Sequence, residues 1–420
     1  MVMNRHIVST LEADERLTVE LRTETLPEPT DHQVLIRIEA SPINPSDLGL
    51  LFSAADLANA EYTPGKIVAS MPAGAVRAMQ SRLGQPLPVG NEGAGTVVAA
   101  GDAADAQALL GKIVAVIPGA MYAQYRLVDA RTCLVLPDGA TAEQGAAAFV
   151  NPLTALSFVD AMRRENHKAL IHTAAASNLG QMLVKICKAD GVPLVNVVRS
   201  PAQVDLLKAI GAEHVIDSSA ETFQADLFAA LETTGATMGF DAIGGGKLAG
   251  QILGTMEQVA SKAAAFSRYG STTFKKMYSY GMLDTGPTVI NRTFGFSFSF
   301  SGFLLTPYLQ EIGPEAAETL RQRVREELTT TFASSYKARV SLEDALTREA
   351  AALTVDFSGD VVALQAALSG GGYVLVQTSP GNAAGPGTFQ LRLAGAESPP
   401  ARQFAGPPPM APSPPGPPQQ

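Results

Sequence analysis

The chain lacks most of the features that would point it toward several common functions. It has two cysteines, Cys133 and Cys187, in 420 residues; both sit in apolar surroundings without metal-ligand spacing. That excludes a disulfide framework and reads as buried thiols in a reducing compartment. Basic clusters are missing and the formal net charge is −9, so no nucleic-acid partner is expected. No apolar run approaches the roughly 20 residues that cross a bilayer, so no membrane partner is expected. Residues 1–15 carry charges and no apolar stretch of the secretory-signal type, which makes a cytoplasmic protein the expectation. The five histidines form no constellation, and neither a Gly-x-Ser-x-Gly elbow nor a P-loop occurs. His172, inside an apolar run, reads as a core histidine rather than a base.

What is present is room for large cores, with a hydrophobic fraction of 46%, and a change of texture along the chain. The first 145 or so residues read as short strands broken by glycine and proline, as in a small barrel. Gln33 to Ala40 alternates as a half-buried strand should, and Gly93 to Ala99 and Lys112 to Ile117 are further strands. Asn151 to Arg163 has helical spacing. From Lys168 onward helix and strand alternate: helix Ala202 to Ile210, strand Ala212 to Asp217, helix Phe223 to Thr234, strand Met238 to Ile243 and strand Lys276 to Gly281. Such alternation implies an α/β fold with a parallel, doubly wound sheet. A charged amphipathic helix, Pro314 to Thr330, follows. Ser341 is placed to cap a helix with Asp344 at its third position. No lysine follows Arg348, and the Gly/Ala/Pro-rich stretch from Pro380 cannot build a core. It is read as a disordered tail.

The most informative stretch runs from Lys168 to Arg199. Ala169 to Ile171 suits a buried parallel strand. Ala174, Ala175, Ala176 and Ser177 are small enough for a phosphate to approach the backbone. Gly180 permits close packing of the next helix, whose first N–H groups favour a pyrophosphate. Arg199 ends the second strand, where an acidic residue would grip the ribose hydroxyl of NAD and a cation suits the extra phosphate of NADP. The alternative is an ordinary βαβ unit without a ligand.

These residues resemble the medium-chain dehydrogenase/reductase superfamily, with the zinc-independent quinone reductase and 2-enoyl thioester reductase branches nearest. The resemblance covers about Asp14 to Leu346. It rests on Pro42-Ile-Asn-Pro-Ser-Asp47, Val89-Gly-Asn-Glu-Gly-Ala-Gly95, Val150-Asn-Pro-Leu-Thr-Ala155, Ala175 to Gly180 and Asn196-Val-Val-Arg199, in that order. It implies a GroES-like β-barrel catalytic domain over 1–147 and a Rossmann domain over 148–310. It further implies a return to the catalytic domain over 311–377, with 378–420 as the tail. The active site would lie in the cleft between barrel and Rossmann domain. The positions of the catalytic zinc ligands correspond to Asn44, Asn91 and Val150, a set unfit for zinc; no metal is expected.

The implied activity is hydride transfer from NADPH to an activated C=C of a quinone, enone or 2-enoyl thioester. The alternatives are a zinc-free carbonyl or alcohol dehydrogenase and a non-catalytic NADPH-binding protein. The resemblance places Asn151, Ser177, Asn178, Leu179, Gly180, Arg199 and Ser200 on the cofactor. It also places Tyr280, Gly281, Met282, Phe303, Leu304 and Leu305 along its nicotinamide side. Asn151 could equally be a helix cap before Pro152, and the apolar residues could be plain core. The family's second arginine is replaced by Pro201 or Ala202. The proton donor is sought in Tyr62, inside an insertion running to about Leu87 that suggests an altered lid, or in Tyr122. A small-molecule substrate and a homodimer complete the expectation. The segment after Arg348 departs from the family pattern, with Gly370 to Gln377 only loosely matching its last strand.

Overall fold

The computed structural model describes residues 1–354, apart from Pro118 and Ala263, and residues 372–376. The chain divides into one compact unit, Met1–Thr378, and a second stretch, Ser379–Gln420. The expected tail therefore lies outside the described residues.

The N-terminal half is built from two sheets. One pairs Glu61–Thr63, Lys66–Ser70, Arg16–Leu26, Val2–Leu11 and Leu87–Pro88 in that order. The other is organised around the long strand Gln33–Ile43, which pairs with Gly93–Ala100, Tyr125–Asp129 and Gly372–Val376. The alternation expected for Gln33 to Ala40 is present with one exception: Val34, Ile36, Ile38 and Ala40 are buried on one face, Gln33, Arg37 and Glu39 are part-exposed on the other, and Leu35 is buried among them. Part of the insertion after Leu48 is sheet rather than lid: Lys66–Ser70 runs antiparallel to Arg16–Glu20. The loosely matching terminal segment joins the second sheet, since Gly372–Val376 pairs with Ala40 to Ile43 on one side and with Tyr336–Val340 on the other. Ser341 takes the Asp344 N–H at 3.0 Å, the cap expected from the sequence.

The second half opens with helix α1, Val150–Arg164, and continues β1 Leu170–His172, α2 Asn178–Asp190, β2 Leu194–Val198, α3 Pro201–Ala209 and β3 His214–Asp217. Helix α4 Phe223–Thr234, β4 Met238–Asp241, α5 Leu248–Lys262, β5 Lys275–Ser279 and β6 Phe298–Gly302 follow. All six strands pair in parallel, in the order 3-2-1-4-5-6. That order puts a crevice at the carboxyl ends of β1 and β4, where the winding reverses.

Residues Ala142–Arg164 are long and apolar enough to cross a membrane, yet 83% of that window is buried inside the protein. Its apolarity serves packing. Phe158 is fully buried, stacks on Phe240 at 3.8 Å and meets Phe303 edge-on at 5.2 Å.

Helix α2 packs so closely on the turn that precedes it that a Cβ on Gly180 would lie 2.1 Å from the Ala175 carbonyl oxygen. That turn holds Ala174 at φ +48°, a left-handed conformation that costs a non-glycine residue about 1–2 kcal/mol. Gly180→Ala must displace backbone, and is expected to lower stability by about 1–3 kcal/mol in a denaturant titration. Ala174→Gly relieves the turn and is expected to leave stability unchanged or raised; a loss above about 1 kcal/mol would contradict this reading of the turn.

Candidate active site

At the carboxyl ends of β1, β2 and β4 lies an open cavity of about 350 Å³, bordered by Ala174, Ser177, Arg199, Ser218, Gly246 and Lys247. Ser177 caps α2, its hydroxyl oxygen accepting the Gly180 N–H at 3.1 Å. The N–H groups of Asn178 and Leu179 have no protein acceptor among the described residues and stand at the positive end of the helix. The Asn178 amide reaches Ser334 Oγ at 3.1 Å, and the Leu179 side chain is buried in the core, so only their backbone faces the turn. Asp241, at the end of β4, accepts from Thr173 Oγ1 at 2.6 Å and from the N–H groups of Ile243 and Gly244, which holds the loop on the far wall.

Sequence reasoning missed Lys247. It follows Gly244–Gly246 on that far wall, and it forms no ion pair among the described residues. The cation two positions beyond Arg199 is absent, and Lys247 supplies positive charge to the same cavity from a different loop. Only the fold brings them together, although three consecutive glycines after a strand were a signal that a backbone was kept bare. Ser200 proves to be a helix cap: its hydroxyl oxygen accepts the Gln203 N–H at 3.4 Å at the start of α3, and it does not line the cavity.

The nicotinamide-side set is divided. Phe303 is buried in the aromatic cluster with Phe158, Phe240 and Tyr278, which makes it core. Leu305 packs against the same cluster, whereas Leu304 is 69% and Met282 80% exposed. Gly281 lies so close to β4 that a Cβ would meet the Ala242 carbonyl oxygen at 2.5 Å. Tyr280 is part-exposed, and its hydroxyl pairs with His172 Nε2 at 2.7 Å. His172 is fully buried, burial pushes its pKa down to about 3, and its Nδ1 has no hydrogen-bond partner among the described residues. It is a neutral core histidine.

Both tyrosines proposed as proton donors are corrected. Tyr122 is 1% exposed and donates its hydroxyl to the Pro42 carbonyl at 3.0 Å; burial beside Asp47 raises its pKa well above the usual value. A Cβ on Gly90 would meet the Tyr122 ring at 2.5 Å, so the ring is a wedge in the barrel core. Tyr62 donates to the Leu57 carbonyl at 3.0 Å, and the Arg348 guanidinium covers its ring at 4.5 Å. Neither has a proton directed into the crevice.

Between the barrel and α1 lies a buried polar cluster. Glu92, fully buried, accepts the N–H groups of Phe149 at 2.8 Å and Val150 at 2.9 Å on one oxygen, and Asn44 Nδ2 at 3.0 Å on the other. Asn44 Oδ1 accepts Asn151 Nδ2 at 3.2 Å. Asp47 accepts the N–H groups of Asn44 and Asn91, both at 2.8 Å. Asn91 Nδ2 donates to Ser46 Oγ at 2.9 Å. Asn151 is thus the second residue of α1 and not its cap. The positions corresponding to zinc ligands hold two amides engaged in these bonds and a valine without a donor atom. They do not fit a zinc ion.

Burial pushes the pKa of Glu92 and of Asp47 up to about 7, against the N–H bonds that favour their ionised forms. Their folded values exceed the unfolded ones, so the stability they confer is full at acid pH and is lost as pH rises through about 7. His172, neutral when folded, acts in the opposite sense below its ordinary pKa, so the informative quantity is a difference. The thermal midpoint of the wild type should fall relative to that of Glu92→Gln as pH rises from about 5 to about 8. A constant difference would show that Glu92 does not titrate in this window.

The chain matches two family models: the alcohol dehydrogenase GroES-like domain over residues 30–138 and the zinc-binding dehydrogenase over residues 179–272. A Mesorhizobium loti protein assigned as an NADPH:quinone reductase superposes with a TM-score of 0.65 and 26% identity, covering 89% of this chain and 98% of its own. The mitochondrial enoyl-[acyl-carrier-protein] reductase of Arabidopsis thaliana is 26% identical over 168 residues, 39% of this chain and 40% of its own length. A mycocerosic acid synthase-like polyketide synthase of Mycobacterium tuberculosis is 33% identical over 104 residues, 24% of this chain and 5% of its own. The matches thus span less than half of either curated relative. A GroES-like domain followed by a Rossmann sheet in the order 3-2-1-4-5-6, with both models matching in sequence, makes the chain similar to the medium-chain dehydrogenases and reductases.

Proposed function

We propose that the protein is an NADPH-dependent oxidoreductase that reduces the activated C=C of a small quinone, enone or 2-enoyl thioester without a metal ion. The observation that carries this reading is the cavity itself, which joins a helix start with open N–H groups to two cations at the ends of parallel strands.

The residues present fit the dinucleotide. The Asn178 and Leu179 N–H groups receive the pyrophosphate, and the bare backbone from Ala174 to Ser177 lets it approach. Arg199 and Lys247 receive the phosphate on the adenosine ribose, a group that NADH lacks. Asn151, half-buried at the start of α1, stands on the same side of the sheet as the β1 carboxyl end, because α1 runs antiparallel to the strand it precedes. It faces the nicotinamide end. When bound, NADPH supplies the hydride. The buried Asn44–Glu92–Asp47 cluster holds the start of α1 and with it Asn151, and the proton that completes reduction comes from water in the open crevice. The dimer expected from the family is assigned to the free edge of β6, the last strand of the sheet. A cytoplasmic location remains part of this proposal.

Arg199→Ala and Lys247→Ala are each expected to weaken NADPH binding about tenfold or more and to leave NADH binding nearly unchanged, as read by fluorescence titration. Equal loss for both nucleotides would assign the two cations a structural role. With the wild type, a panel of quinones, enones and enoyl thioesters should show chelator-insensitive NADPH oxidation; folded protein inactive on the whole panel would refute the activity.

A further inference from the structure

The polar cluster between barrel and Rossmann sheet contains three side chains whose hydrogen bonds run in one direction. Two backbone N–H groups, Phe149 and Val150, converge on Glu92 Oε2. Backbone N–H can only donate, so this oxygen must accept. Above about pH 7, where Glu92 is ionised, the other oxygen accepts as well, and it faces the Asn44 amide. Asn44 therefore presents Nδ2 to Glu92 and Oδ1 to Asn151. Asn151 in turn presents Nδ2 to Asn44. Its Oδ1 has no protein partner among the described residues, and Asn151 is half-buried. Glu92 is fully buried and Asn44 is 5% exposed, so water does not blur the pattern on their side.

We infer that Glu92 and Asn44 are positioning residues that set the hydrogen-bond polarity of Asn151, so that the crevice presents an acceptor and selects a ligand group that donates. On the reading of the site as an NADPH site, on which this inference rests, that group is a hydroxyl or the carboxamide NH2 of the nicotinamide riboside. The relay matters because an amide is nearly symmetric in shape. Without a fixed partner Asn151 would turn either end to the ligand, and half of its orientations would set donor against donor.

The relay has a consequence that a merely structural network lacks: it can be reversed. In Glu92→Gln the two backbone donors hold the new amide oxygen, which turns its NH2 toward Asn44. Two donors then face each other, so Asn44 rotates, Asn151 rotates after it, and Asn151 presents NH2 to the crevice. Adding Asn151→Asp restores an acceptor, because a carboxylate takes the hydrogen bond from the reversed Asn44 and still offers an oxygen outward. Asn151→Asp alone sets its carboxylate against Asn44 Oδ1.

The test uses the full chain and its E92Q, N151D and E92Q/N151D variants, with NADPH affinity, KM and kcat measured at about pH 8 and folding checked by thermal melts. Each single variant should lose about tenfold or more in NADPH affinity, and the double variant should return to within about threefold of the wild type. Losses that multiply in the double variant, or an E92Q protein with unchanged affinity, would overturn the relay. Should E92Q not fold, Asn44→Ala leaves Glu92 its two backbone donors and frees Asn151 to rotate. A smaller loss of affinity supports the relay, and no loss overturns it. Neutron diffraction from ligand-free crystals reads the relay without any cofactor. The Asn151 amide deuterons should point to Asn44 in the wild type and to the crevice in E92Q; the same orientation in both overturns the relay. If the orientations differ as stated but the wild type does not bind NADPH, the relay stands and the cofactor assignment fails.

Discussion

One buried carboxylate joins the two halves of this protein where they face the crevice. Glu92 leaves the barrel between Asn91 and Gly93 and takes the N–H groups that open α1, the helix leading into the Rossmann sheet. A buried charge is tolerated only when hydrogen bonds satisfy it, and removing its partners would leave an uncompensated ion. Glu92 therefore sets where α1 begins relative to the barrel. Because α1 packs through Phe158 against Phe240 of β4, its position is coupled to the strands that carry the cavity. Around the carboxylate lie the Asn44 amide and the N–H groups of Phe149 and Val150.

The opposite end of the site is governed by space rather than charge. Gly180 lets α2 press on Ala175, and Ala174 accepts a left-handed backbone so that the turn can fold tightly. The strained residue sits where a phosphate would approach, in keeping with the tendency of backbone strain to gather at ligand sites. Arg199 and Lys247 flank this turn from separate loops, and the recognition of an additional phosphate depends on both loops being held. Asp241 holds one of them through Thr173 and two backbone N–H groups.

Much of this was legible before the structure. Alternating apolar runs from Lys168 onward specified a parallel sheet, since a strand buried on both faces must be apolar throughout. Gly180 was identifiable as a close-packing glycine, and Arg199 as a residue at a strand end. Side-chain orientation was not legible. Tyr122 and Phe303 were expected at the cleft from the resemblance, but pleat and packing turn both into cores, and Ser200 is taken by the start of a helix. Lys247 escaped notice because its relation to Arg199 exists only across parallel strands far apart in sequence. Glu92 stood in plain view between Asn91 and Gly93, but nothing local shows that its partners lie near residue 150. Gly370 to Gln377 matched a family strand only loosely, although a strand forms within it, because backbone pairing with Gln33–Ile43 makes few demands on side-chain identity.

The account stands on hydride reaching a carbon–carbon double bond. The most direct measurement is product analysis after turnover of a simple enone with NADPH deuterated at the nicotinamide C4 position that the enzyme uses. The account predicts a saturated ketone with deuterium on the β-carbon and a solvent-derived proton on the α-carbon. Deuterium on a carbinol carbon, with the double bond intact, would contradict it and identify a carbonyl reductase instead.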